Sequence, residues 1–171
     1  GFADKYSDQV KSLSFIAPAG FGKVQTSIPF FIKIPGVIEW AMHVLADRFY
    51  GSAISSETTH SNDPLSINEK EFQQLFSFQM QFKGFRESLA STMRNFNLFD
   101  AREMFEKVAA KNIPSIAIWG DNDGVVSYKG AETYSEIFHE GKVITIEGGT
   151  HDITYRQPSD VLGAIKIFLD P

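Results

Sequence analysis

Residues 114–169 limit the fold more than any other part of the chain. Pro114-Ser115-Ile116-Ala117-Ile118-Trp119 is a short, β-branched apolar run closed by Gly120, long enough for a buried strand and too short for a helix. Tyr128 to Phe138 has helical spacing, and Val143 to Ile146 is a second buried-strand run. Ser159 to Leu169 then places Val161, Leu162, Ile165 and Phe168 on one helical face. Strand, helix, strand, helix predicts a parallel sheet covered by helices, which is an α/β fold.

The region upstream differs. Val10 to Ala17 runs into Pro18-Ala19-Gly20 and reads as one more strand stopped by a loop. A helix is expected over about Gly36 to Arg48, with Pro35 at its boundary, followed by a polar surface loop from Gly51 to Pro64. Ser66 and Glu69 have the spacing of a capping box. They precede a periodic run through Phe72, Leu75, Phe76, Phe78, Met80, Phe82 and Phe85, expected to reach about Met93 with a break at Gly84. Asp100 is placed to cap a helix through Met104, Phe105 and Val108. The chain holds 16 Phe, many of them between Phe21 and Phe99, so this middle is helical, Phe-rich and free of strand signals. The organisation expected is a core strand and loop over 1–25, a helical insertion over 26–98 and a C-terminal α/β core over 99–171.

Composition removes several function classes. There is no Cys, which excludes disulfides, thiolate metal sites and a cysteine nucleophile. The net charge of −5 comes with no basic block, so nucleic acid is not an expected partner. No apolar stretch approaches the roughly 20 residues of a membrane-spanning helix. The compartment stays open, with the cytoplasm slightly favoured. The first residue is Gly and not Met, which raises the expectation of a processed product or a piece of a longer protein.

Two loops leave the C-terminal ends of the predicted parallel strands, where open α/β sheets place functional groups. One is Gly120-Asp121-Asn122-Asp123-Gly124-Val125-Val126, and the other is Glu147-Gly148-Gly149-Thr150-His151-Asp152. A carboxylate and an imidazole on neighbouring strands at one sheet edge can meet. Taken alone, the first loop is also a turn sequence or a calcium loop, because a twelve-residue loop beginning at Asp121 closes on Glu132. The glycine is misplaced for an EF-hand, however, and Val125 and Val126 occupy ligand positions. His43, His60 and His139 read as structural or solvated. The Phe72 to Phe85 stripe reads as core packing, with a few rings available to a substrate cavity.

The run Ile118 to Val126, followed by Gly148-Gly149-Thr150-His151 with 28 positions between acid and base, resembles the closing portion of the α/β-hydrolase fold family. The resemblance implies that Asp123, and not Asp121, is the triad acid and that His151 is the base. It makes Val10 to Gly20 the strand and loop after the nucleophile elbow, and Phe21 to Phe99 the helical cap. It implies a serine hydrolase of esterase or lipase type acting on a small apolar ester-like substrate, with no metal or organic cofactor. The family's Gly-x-Ser-x-Gly elbow does not occur in this sequence. The nucleophile and the first oxyanion donors are therefore expected upstream of Gly1, in an N-terminal part of the same fold, and the chain alone is expected to be inactive and prone to aggregate. Alternatives are a relative with an Asp nucleophile that opens epoxides or displaces halide, a non-catalytic binding protein on the same scaffold, and a stand-alone interaction domain.

Overall fold

The computed structural model describes residues 1–22, 34, 36–41, 44, 62–96 and 100–170. In chain order its elements are α1 (Phe2–Lys5), a 3-10 turn (Ser7–Gln9), β1 (Leu13–Ile16), α2 (Glu69–Gln79) and α3 (Phe85–Asn95). These are followed by α4 (Arg102–Ala109), β2 (Ser115–Gly120), α5 (Gly130–Ile137), β3 (Lys142–Ile146), α6 (Ile153–Arg156) and α7 (Pro158–Leu169). The strands form one parallel sheet in the order β1-β2-β3, with Ile16 beside Ile118 and Gly120 beside Ile146. The expected α/β class and parallel sheet are what the chain forms.

Every residue of β2 is buried, because the central strand is covered on both faces. Strand alternation sends Ala117 and Trp119 to one side and Ile116 and Ile118 to the other. On the first side, Phe21, Phe105, Val108, Tyr134, Ile137 and Phe138 complete an aromatic core in which the Phe21 and Phe105 rings stack at 3.9 Å. On the second side, Ile146, Ile153 and Val161 pack with Ile116 and Ile118, and half-buried Ile165 and Phe168 of α7 close the layer. Each fully buried Ile contributes roughly 1.5–3 kcal/mol of transfer free energy, so the two layers together fix the sheet beneath the loops at its C-terminal edge.

The chain divides into two compact units: Gly1–Gln25 with Ser61–Ser66 and Leu98–Pro171, and Thr26–His60 with Ile67–Asn97. Residues 61–66, read from sequence as part of the insertion, thus group with the sheet. Within that unit Asp63 bonds to α7: its Oδ2 accepts from the Ser159 amide at 2.7 Å and its Oδ1 from the Ser159 hydroxyl at 2.8 Å. It caps the first turn of α7 from 96 positions away, where the local N-cap residue Gln157 provides no side-chain bond.

Several expectations need correction. The first strand is shorter than Val10 to Ala17, and a 3-10 turn ends at Gln9 just before it. The capping box is not Ser66 with Glu69. Asn68 and Glu71 form it reciprocally, at 3.0 and 2.9 Å, because Asn68 takes the extended backbone of an N-cap. The break expected at Gly84 is present and spans residues 80–84, with Gly84 left-handed at φ 88°. The Phe stripe is not core: α2 has no buried residue, and Leu75, Phe78 and Phe82 are exposed, while Phe72, Phe76 and Met80, four residues apart, form its half-buried face. Leu162 is likewise exposed, since α7 turns Val161 and not Leu162 into the sheet. Residues 37–41 and 44 are helical, in line with the start of the expected helix. Its remainder, most of the Gly51 to Pro64 loop, His43 and His60 lie outside the described residues.

Candidate active site

The two loops meet because two glycines let their backbones touch. A Cβ on Gly120 would lie 2.1 Å from the carbonyl oxygen of Gly149, and a Cβ on Gly149 would lie 2.9 Å from Cα of Gly120. With no side chain between them, the Asn122 amide donates to the Gly149 carbonyl at 2.9 Å and the Asp121 amide to that of Ile146 at 3.3 Å. Gly148, at φ 64°, makes the turn that brings the second loop back over the sheet. Ile153 is fully buried just beyond and anchors the far end of that loop.

This docking places Asp123 beside His151. The Asp123 side chain is fully buried, and its Oδ2 lies 3.0 Å from His151 Nδ1. Oδ1 accepts from the backbone amides of Val125 at 2.9 Å and Val126 at 2.7 Å. The loop carrying those amides is held in turn by Trp119, whose indole Nε1 donates to the Val126 carbonyl at 2.9 Å. A buried carboxylate must be hydrogen-bonded on both oxygens to be tolerated, and this one is. Asp121, two residues earlier, is exposed.

The imidazole side chain is 39% exposed, at the surface where a reactant could approach it. A carboxylate on Nδ1 selects the tautomer that carries its proton there, so Nε2 is the nitrogen disposed to accept one. Of the other residues considered from sequence, His139 and Glu132 are exposed. Among the described residues no three His, Cys, Asp or Glu side chains gather as a metal site would require. No described helix is long and apolar enough to cross a membrane.

Similarity to known proteins now bears on these loops. No family model matches the chain. A bromoperoxidase from Bacillus anthracis superposes with a TM-score of 0.67 at 19% identity, over 99% of this chain and 62% of that protein. An esterase from Thermogutta terrifontis gives 0.66 at 17%, over 98% and 58%, and an epoxide hydrolase from Bacillus megaterium gives 0.64 at 15%, over 99% and 64%. The chain carries the C-terminal part of an α/β-hydrolase fold. In sequence it is 26% identical over 186 aligned positions to Lipase 3 of Moraxella sp. (strain TA144). That match takes in 99% of this chain and 51% of the lipase, so the chain spans about half the length of this relative.

The structure brings Asp123 and His151 together at one sheet edge, as their loops predict, but what aligns the two loops is not in the sequence pattern. Gly120 read as the end of a strand, and its role as the contact point for Gly149 depends on a pairing that spacing does not encode. Asp152 and Arg156 also went unremarked, although their separation of four is the spacing of a helical ion pair. Arg156 Nε donates to Asp152 Oδ2 at 2.9 Å.

Proposed function

We propose that this chain supplies the acid and base of a catalytic triad in a serine hydrolase that cleaves esters of apolar substrates. The observation that carries the proposal is the buried Asp123 carboxylate bonded to the Nδ1 of a partly exposed His151 at the C-terminal edge of a parallel sheet. The likeness to a lipase supports an ester as substrate.

A serine hydroxyl is a poor nucleophile near neutral pH and needs a base in contact. In the proposed reaction His151 Nε2 takes the hydroxyl proton as the oxygen bonds to the ester carbonyl carbon. Asp123 holds the ring and stabilises the imidazolium that forms. Collapse of the tetrahedral species breaks the bond to the alcohol, which leaves with the proton from His151. Water then gives a proton to the same nitrogen as its oxygen bonds to the acyl carbon, and the bond to the serine oxygen breaks as His151 returns that proton to it, releasing the acid and restoring the hydroxyl. The nucleophile and the oxyanion donors belong to the portion of the fold that this chain does not span. The second compact unit, Thr26–His60 with Ile67–Asn97, is assigned to substrate selection.

Trapping the covalent intermediate in the full-length protein tests the reading. Brief exposure to an activated ester, followed by acid quench and peptide mass mapping, should find an acyl group on a serine in a Gly-x-Ser-x-Gly turn. Label on an aspartate at that turn, from an epoxide or an alkyl halide, would replace the serine mechanism with an alkyl-enzyme one. The absence of any adduct with either reagent class, in folded protein, would refute catalysis.

A further inference from the structure

His151 Nδ1 lies 3.0 Å from Asp123 Oδ2, and the direction of the imidazole depends on where its backbone carries it. The groups that fix the backbone on either side of it therefore bear on the pair. Thr150, immediately before, is buried, and its hydroxyl donates to Asp152 Oδ1, immediately after. The residues flanking the base are thus tied to each other across it. The other carboxylate oxygen of Asp152 accepts from Arg156 Nε at 2.9 Å, and the Arg156 amide donates to the Asp152 carbonyl at 3.0 Å. The two side chains are 21% and 13% exposed, so the ion pair is largely withdrawn from water and is not a solvent-screened surface pair. Gln157 closes the loop from the far side, its Nε2 donating to the Glu147 carbonyl at 3.2 Å.

We infer that Asp152 and Arg156 form a clamp that fixes the peptide units on both sides of His151, which makes Arg156 a positioning residue for the base. The inference rests on the assignment of His151 as the base. Arg156 acts through Asp152, and Asp152 through Thr150 and the first turn of α6. Arg156 reaches Asp152 through Nε, and a lysine ammonium keeps the positive charge that faces this carboxylate.

The test compares Arg156→Met, Arg156→Lys and Asp152→Asn in the full-length protein, with ester hydrolysis and urea unfolding measured on each. Displacing a catalytic group by a fraction of an ångström to an ångström costs roughly 10- to 100-fold. Arg156→Met should therefore lose about 10-fold or more in kcat with KM within about twofold, and Arg156→Lys should recover most of that loss. A kcat for Arg156→Met within twofold of the parent, equal losses in the Met and Lys variants, or a loss confined to KM would overturn the clamp. If Arg156→Met does not fold, Asp152→Asn carries the same expectation, since it keeps the shape and removes the charge that Arg156 meets. If the parent hydrolyses no ester, the functional reading fails by itself and the clamp is judged from the His151 ring resonances. These should form one sharp set in the parent and become broadened or doubled in Arg156→Met, and unchanged spectra would refute the clamp.

Discussion

Gly120→Ala is the substitution that most directly probes how the site is assembled. A Cβ at this position would sit 2.1 Å from the Gly149 oxygen, 2.4 Å from its carbonyl carbon and 2.9 Å from its Cα. Carbon atoms in good contact lie about 3.5–4.0 Å apart, so the two loops would have to separate by more than about 1 Å. All three obstructing atoms are backbone, which no rotamer change can move aside. Overpacking of this kind costs roughly 1–3 kcal/mol. Separation also breaks the hydrogen bond from Asn122 to Gly149, worth about 1 kcal/mol more. The total expected is about 2–4 kcal/mol of stability. Because the same movement carries Asp123 away from His151, activity should fall by about 100-fold or more. Gly163→Ala is the control: it lies inside α7 with nothing within 4 Å of the added Cβ, and should stabilise by up to about 1 kcal/mol. Urea midpoints and kcat on the full-length protein measure both. Parental stability and activity in Gly120→Ala would refute the argument that direct backbone contact between the loops sets the pair's geometry.

Two further outcomes follow from groups away from the base. Thr133 Oγ1 is buried with no hydrogen-bond partner among the described residues, so Thr133→Val, which keeps the shape and removes an unpaired hydroxyl, should stabilise by about 1 kcal/mol in urea unfolding. A destabilised variant would mean that the hydroxyl has a partner. For Asp63, desolvation pushes the carboxyl up, but the Leu65 amide and the Ser159 amide and hydroxyl together outweigh it and hold it below the ordinary aspartate value. A depressed folded-state value adds stability above the unfolded-state value, and that stability is lost as pH falls through the folded one. The deficit of Asp63→Ala relative to the parent should therefore be constant near neutrality and shrink below about pH 4. A deficit independent of pH down to 3 would exclude the ionised cap.

The fold was legible at Ile116 to Gly120, a short β-branched apolar run closed by glycine and buried on both faces, whereas Val143 to Ile146 forms the expected strand but leaves Thr145 exposed and only Ile146 buried. It was not legible in α2, where a period of four among Phe and Met predicts a buried face but does not say how deeply a helix packs. The exposure of Phe78 and Phe82 depends on partners elsewhere in the chain. Asp123 and His151 were recognisable because their loops follow strands in a parallel sheet and their motifs resemble a known pair. Asp63 was not, because a helix cap supplied from 96 positions away leaves no local trace. Gly120 was visible as a residue, but its contact with Gly149 exists only after β2 and β3 have paired.

The central claim is that Asp123 and His151 act as acid and base in hydrolysis. The measurement that tests it most directly is kcat/KM for an activated ester, compared between the full-length protein and its His151→Ala variant under conditions where both are folded. The account predicts a loss of roughly 10⁴-fold or more, because the nucleophile then has no proton acceptor. A variant that retains the parental rate would contradict it.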